Sequence, residues 1–334
     1  MNARYRLVST VMVTLASAAS IASIALILLL APAFAQTYPV RPIKLLVPIP
    51  PGGAPDVAAR ILGLKLTEAL GQPIVVENRP GANGNLASEM TVKSPADGYT
   101  LLLCADSQIV INPYLYSKMS FDPIKDLAPV ATVASNDFVL SVHPSLPVKS
   151  FAEFIEHAKR TNPPLAYASG GNGSQHHLTM ELLKARAGIQ LTHVPYKGGS
   201  PATTATVAGE VAAMFAGSST AAQIRAGKLR ALAISGKTRS PQFADVPTIA
   251  EFYPGFENSI WLALFAPRDT PEPIVLRLRT EVNKILAQPD VKERFNHAGG
   301  LEPFISTREV FAAEIRAGAA KYSALVRAID LKID

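Results

Sequence analysis

Cysteine is almost missing from this chain. Cys104 is the only one in 334 residues, which excludes an intrachain disulfide whatever the redox state of the compartment. It ends the apolar run Thr100-Leu101-Leu102-Leu103-Cys104, where a small buried core residue is expected rather than a reactive thiol. Low-complexity sequence is lacking too: the 27 prolines and 21 glycines are spread along the chain, so neither a flexible linker nor a polar tail is expected. Beyond residue 35 no apolar run is long enough to cross a membrane. A basic stripe is also absent. The formal charge is +6, but lysines and arginines are scattered, which argues against nucleic acid and suits a small anionic ligand.

The 48% hydrophobic content is enough for two packed domains. Residues 1–35 stand apart from them. Arg4 and Arg6 form a positive start, Val11 to Leu30 is apolar and uncharged, and Ala33-Phe34-Ala35 has the small-x-small pattern of a signal-peptidase site, so the mature chain is expected to begin at Gln36. A retained anchor is the competing reading, because the apolar run would just span a bilayer. Thr14, Ser17, Ser20, Ser23 and the Ala-x-Ala site favour cleavage. No acidic residue lies in this segment, so cleavage takes the formal charge from +6 to +4.

The most informative stretch runs from Tyr38 to Arg60. Ile43 to Val47 is a short apolar run bounded by prolines, as in a buried parallel strand, and apolar residues recur at helical spacing from Asp56 through Leu70. Between them, Gly52 and Gly53 permit close backbone approach, Pro50, Pro51 and Pro55 stiffen the path, and the helix start aims unpaired N–H groups at the loop. This is an anion cradle. The same residues would also serve a tight strand-to-helix connection with no ligand.

Strand and helix signals then alternate: strands at Ile74 to Glu77 and Thr100 to Cys104, a helix from Leu86 to Lys93, and a helical stretch through Tyr116. That order implies α/β architecture with mainly parallel sheets flanked by helices, and ligands sit beyond the carboxyl ends of such strands. A second unit reads as strand Phe138 to Val142, helix Ser150 to Arg160, strand Leu165 to Ala168, helix Leu178 to Ala187, strand Leu191 to Val194, a helix to Ala208, and strands Val211 to Phe215 and Arg230 to Ser235. Glu257 to Ala266 is strand-like again, and helices follow at Pro273 to Ala287, Pro289 to Ala298 and Thr307 to Ala328. Those last helices have too few core positions for a third domain and are expected to pack back on the first sheet. Domain 1 is therefore expected to be discontinuous, 36–135 plus 260–334, with domain 2 at 136–259 and two chain crossings between them.

Enzyme motifs fail at the residue level. Gly171-Asn172-Gly173-Ser174-Gln175-His176 lacks the third glycine of a dinucleotide fingerprint, Gly236-Lys237-Thr238 lacks the earlier glycine of a P-loop because Ala231 stands there, and Ser174 lacks the flanking glycines of a nucleophile elbow. His176 and His177 would point about 100° apart on a helix, which makes joint metal ligation awkward. One is expected on a cleft wall and the other on the surface.

The chain resembles the extracytoplasmic receptors of the tripartite tricarboxylate transporter system, the Bug family. The resemblance rests on Tyr38-Pro39 through Arg60, Val76-Glu77-Asn78-Arg79-Pro80-Gly81-Ala82-Asn83-Gly84, Ser94-Pro95-Ala96-Asp97-Gly98-Tyr99-Thr100, Asn112-Pro113-Tyr114-Leu115-Tyr116, Ser169 through Leu178, His193-Val194-Pro195-Tyr196-Lys197-Gly198, Asp245-Val246-Pro247-Thr248 and Ala266-Pro267. It implies a two-lobed periplasmic binding protein of type II that closes over a small organic anion, often a carboxylate, without a cofactor or metal. Carried over residue by residue, Gly52, Gly53, Ala54, Asp56, Asn83, Gly84 and Ser107 would grip from domain 1, with Ile49 on the wall. Ser169, Asn172, Gly173, Ser174, His177, Tyr196, Lys197 and Gly198 would face them, although Lys197 serves equally to hydrogen-bond a turn. Many relatives carry Phe where this chain has Ile49 and Asp where it has Ala216, which makes amino-acid ligands less favoured.

The function that follows is a monomeric receptor delivering its anion to a membrane permease. Two alternatives stay open: docking of the loaded receptor on a sensor kinase, and a secreted hydrolase using Ser174 and His177.

Overall fold

Alternating burial builds the sheet. The computed structural model describes residues 38–217 and 220–333, so the expected signal segment and its cleavage point lie outside the described residues. Strand β1 (Ile43–Val47) buries Ile43, Leu45, Leu46 and Val47 and leads through the glycine loop into α1 (Ala54–Leu70), which ends at Gly71 in the left-handed conformation. Then come β2 (Ile74–Asn78), α2 (Asn85–Val92) and β3 (Thr100–Ala105). Cys104 is fully buried.

The next strand, β4 (Leu127–Val142), is longer than its sequence signal. Pro129, Asn136 and Asp137 interrupt the apolar pattern, so only its end reads as strand. In the fold, Pro129 sits at a register shift, where its missing N–H does not break the ladder, and Asp137 accepts a 2.5 Å hydrogen bond from Ser259 Oγ. After β4 follow α3 (Phe151–Arg160), capped by Ser150, then β5 (Ala166–Ser169), α4 (Gln175–Ala187), β6 (Thr192–Pro195), α5 (Gly199–Val207), β7 (Ala213–Gly217) and β8 (Arg230–Ile234). The chain ends with β9 (Ser259–Pro267), α6 (Glu272–Leu286), α7 (Pro289–Gly299), β10 (Glu302–Pro303) and α8 (Arg308–Ala328).

The sheet order is β2-β1-β3-β9-β4-β7-β5-β6, with β8 and β10 also paired to β4. The runs β2-β1-β3 and β7-β5-β6 are parallel, as their helical crossovers require, whereas β4 and β9 are antiparallel to each other and to their outer neighbours. The whole is thus mixed, with a parallel run at each end. Residues Leu127 to Asp137 of β4 pair with β9, and Phe138 to Val142 pair with β7 and β8, so one strand belongs to both half-sheets.

Helices α6 and α7 lie against α1, and α6 also reaches β4, which is the return of the C-terminal helices to the first sheet. Helix α4 is shared between the halves. Leu178 joins the core of Leu102, Cys104, Trp261 and Phe311, while Met180 and Leu183 join that of Phe138, Tyr167 and Phe215.

Leu264 is fully buried in β9 between β3 and β4. Leu264→Ala is expected to lower the unfolding free energy by about 2–5 kcal/mol in urea titrations; a loss below about 1 kcal/mol would contradict this packing.

Candidate functional site

Four loops carry the residues that the sequence singles out. The first, Pro48 to Gly53, leaves β1 and enters α1 with Gly53 as the N-cap and Pro55 in the first turn. Its acid points inward. Asp56 is 3% exposed; its Oδ2 accepts from the Gly52 N–H at 2.9 Å and Arg60 Nε at 3.1 Å, and its Oδ1 accepts from Asn78 Nδ2 at 2.9 Å. Burial alone would raise the Asp56 pKa, but the hydrogen bonds from Arg60, Gly52 and Asn78 outweigh it and hold the carboxyl below its ordinary range. Ile49 lies against Gly53, where a Cβ would overlap its Cδ1. Asp56 and Ile49 thus brace the loop, and the N–H groups of the first helical turn are the donors that helix geometry leaves over.

The second loop is a turn of 3₁₀-helix, Ala82–Gly84, with Asn83 at φ 50°. The Asn83 carbonyl accepts from Gln108 Nε2 at 2.9 Å and Asn112 Nδ2 at 3.1 Å, and its side-chain amide donates to Asn112 Oδ1 at 2.7 Å. A Cβ on Gly84 would come within 2.8 Å of Gln108 and of Pro48. Glycine is therefore required where three loops converge. Ser107 is buried at the start of the π-helical turn Ser107–Ile111 that follows β3. Gln108 and Asn112, which organise this rim, were not among the expected site residues; an Asn-Pro dipeptide was the one local signal for Asn112.

In the third loop, Ser169 to Ser174, hydroxyls are again occupied internally. Ser169 Oγ accepts from the Gly171 N–H at 3.0 Å and lies 2.6 Å from His193 Nε2, and Ser174 caps α4 by accepting from the His177 N–H at 3.4 Å. Gly173, at φ 72°, rests against Leu115 and Ile333, so this loop of the second half-sheet touches the side chains of the first. Asn172 is exposed. In the fourth loop, the Tyr196 N–H donates to the Ser169 carbonyl at 3.0 Å and its hydroxyl reaches Glu210 Oε2 at 3.3 Å, while Lys197 is exposed and Gly198 caps α5 at φ 116°.

The histidine pair departs from expectation, because neither imidazole is a surface group. His177 is buried, with Nδ1 accepting from the Gly173 N–H at 3.1 Å and its ring stacked 3.9 Å from that of His193. His176 is half-buried, its ring 5.0 Å from Phe138 and packed between Gly170 and Gly199. A helix that packs on both half-sheets has no free face at its first turn. Burial pushes both imidazoles down to about 4, assisted at His177 by His193.

A polar seam joins the halves beside these loops. Gln175 Nε2 donates to Asp106 Oδ2, the Tyr322 hydroxyl lies 3.0 Å from Gln175 Oε1 and 2.9 Å from Asn258 Oδ1, and Asn258 Nδ2 donates to Thr179 Oγ1 at 2.5 Å. Burial pushes Asp106 up to about 7. These residues lie far apart in sequence, each a lone polar group in or beside an apolar segment, and no local pattern marks them.

The model of the tripartite tricarboxylate transporter family receptor matches residues 58–331. The chain belongs to this family. Protein BugT of Bordetella pertussis is 39% identical over 306 residues, covering 91% of this chain and 94% of its own. Among solved structures, an R. palustris protein with adipate superposes with a TM-score of 0.82 at 34% identity, over 87% of this chain and 97% of that one. MatC from Rhodopseudomonas palustris with bound malate gives 0.77 at 32% identity, over 86% and 100%. The periplasmic binding protein BugD gives 0.81 at 29%, over 88% and 99%. The two-lobed binding-protein fold expected from the sequence is therefore the fold of this chain.

Two pH effects follow. Asp56 has a depressed folded pKa, so its contribution is complete above the unfolded value of about 3.9 and is lost as pH falls through the folded one. Asp56→Asn should cost about 1.5–3 kcal/mol at pH 7, with the gap to wild type closing in strong acid; a gap that stays constant with pH would contradict it. The histidines act higher. Between an unfolded pKa of about 6.5 and the folded value of about 4, the unfolded chain binds more protons, so stability should fall as pH drops through that window. An NMR titration placing His177 near pH 6.5 would overturn this.

Proposed function

We propose that this receptor works in the periplasm, after cleavage between Ala35 and Gln36, closing lobes 36–135 plus 260–334 and 136–259 over a small organic carboxylate that it hands to a membrane permease of the tripartite tricarboxylate type. One observation carries the reading: glycine loops from both half-sheets open onto helix starts, and their acid, hydroxyl and imidazole groups are already satisfied within the loops. What remains toward the cleft is backbone N–H and the positive ends of α1, α4 and α5, a combination suited to carboxylate oxygens. Gly53, Ala54, Asn172 and Gly198 supply that backbone, Lys197 adds a cation, and Gly52, whose N–H is held by Asp56, joins Asp56, Asn83, Gly84, Ser169, Ser174, His177 and Tyr196 in shaping it. The adipate and malate of two related structures support the ligand class.

Binding without catalysis is the consistent reading of Ser174 and His177. The Ser174 hydroxyl is a helix cap, and His177 Nδ1 accepts from a backbone N–H while its Nε2 lies 3.7 Å from Glu181, an arrangement that argues against the pair serving as nucleophile and base.

The test is a thermal-shift and calorimetric screen of the ligand-stripped chain from Gln36 against mono-, di- and tricarboxylates, aromatic acids and amino acids. A dicarboxylate at a hundredfold over its Kd should stabilise the fold by about 2.7 kcal/mol; no response to any carboxylate would refute the reading. Pull-down of the loaded receptor with permease or sensor-kinase fragments then identifies the partner.

A further inference from the structure

His176 stands in the first turn of α4, beside two of the loops assigned to the anion grip, but has been given no part in it. A Cβ on Gly170 of the third loop would come within 3.1 Å of its Nδ1, and a Cβ on Gly199, the first residue of α5, within 3.2 Å of its Cε1 and Nε2. The imidazole therefore fills the space between the loop that enters α4 and the start of α5, with Phe138 behind it at 5.0 Å between ring centres. The neighbouring imidazoles are engaged: His177 Nδ1 accepts from the Gly173 N–H, and His193 Nε2 lies 2.6 Å from Ser169 Oγ. His176 is not. Its Nδ1 is buried with no hydrogen-bond partner among the described residues, and Nε2, on the open edge of the half-buried ring, makes no hydrogen bond among them either. We propose that His176 is a further ligand-contacting residue, its Nε2–H donating to a carboxylate oxygen of the bound acid. This inference rests on the carboxylate-receptor reading and adds to it a side-chain donor that takes up a proton on binding.

The donor role follows from the burial of the ring. A neutral imidazole carries its proton on one nitrogen and a lone pair on the other. A proton on Nδ1 would be a buried N–H without an acceptor, which folded proteins avoid more strictly than an unused acceptor. The proton therefore sits on Nε2, at the edge that meets the start of α5, and an acceptor-only carboxylate oxygen is its matching partner. Charge points the same way. Burial alone pushes His176 down to about 4; His177 on its own helix, Lys197 ahead of α5 and Asp137 next to Phe138 add nothing to that shift. A carboxylate against Nε2 supplies the opposite charge that the ring lacks and favours its protonated form. Between the free value of about 4 and the higher value in the complex, binding thus takes up a proton, and the His176 contribution to affinity grows as pH falls toward that window.

Adipate and malate are titrated by calorimetry into the ligand-stripped chain from Gln36, between about pH 5 and 7.5, in buffers of different ionisation enthalpy. The wild type is expected to take up a fraction of a proton per bound anion that grows toward the acid end. His176→Phe keeps a ring between Gly170 and Gly199 but has no N–H; it should bind about tenfold or more weakly, as the loss of one charge-assisted hydrogen bond predicts, and lack the extra uptake. Comparison of the two proteins on the same acid cancels any proton that the acid itself exchanges. His176→Gln, whose amide N–H reaches about as far as Nε2, should restore most of the affinity without the uptake, which a purely structural role would not give. Should melting curves show that His176→Phe is misfolded, an NMR titration of wild-type His176 decides: its pKa should rise from about 4 to about 5 or above with saturating adipate, and an unchanged value overturns the proposal. Equal affinity or equal proton uptake in the wild type and a folded His176→Phe also overturns it while leaving the carboxylate reading intact; no binding of either acid by the wild type refutes that reading and this proposal with it.

Discussion

The rest of this structure depends on the antiparallel pairing of β4 with β9. Strand β4 gives its first part to β9 and its last to β7 and β8, so the two parallel runs are tied to one continuous backbone. Near-complete burial along both strands makes the register costly to change, because a slip by one residue would turn each apolar side chain to the wrong face. The loops at the ends of β1, β3, β5 and β6 are then fixed relative to each other by hydrogen-bonded geometry.

On that frame, the loops spend their own side chains on themselves. Asp56 ties Gly52 to Asn78 and Arg60, Asn83 is bolted to Gln108 and Asn112, and Ser169 closes on Gly171 and His193. Such bracing fixes the backbone N–H groups at the helix starts before a ligand arrives, which lowers the ordering cost of binding. On the proposed reading, backbone donors would recognise the carboxylate and the shape of the remaining wall would select the molecule.

Much of this was legible in the sequence because its signals were local. Strand β1, the start of α1 and the three C-terminal helices follow from proline and glycine punctuation and from apolar periodicity. The first part of β4 was not legible, since Pro129, Asn136 and Asp137 look like breakers until β9 supplies a bulge and a hydroxyl partner. The mixed direction of the central strands was hidden for a similar reason: βα alternation predicts parallel neighbours, and only the returning β9 makes them antiparallel. At the site, the glycines and caps could be named from the loop chemistry. The inward turn of His176 and His177 and the seam from Asp106 through Gln175 to Tyr322 and Asn258 could not, because they arise from contacts between segments distant in sequence.

The most direct measurement is a crystal structure of the ligand-stripped chain soaked with a dicarboxylate. The account predicts a carboxylate whose oxygens accept from the backbone N–H groups at the start of α1 and from the loops entering α4 and α5, with Asp56 still bonded to Gly52 and Asn78. A dicarboxylate held by charged side chains away from these loops, or with Asp56 swung out to meet it, would contradict it.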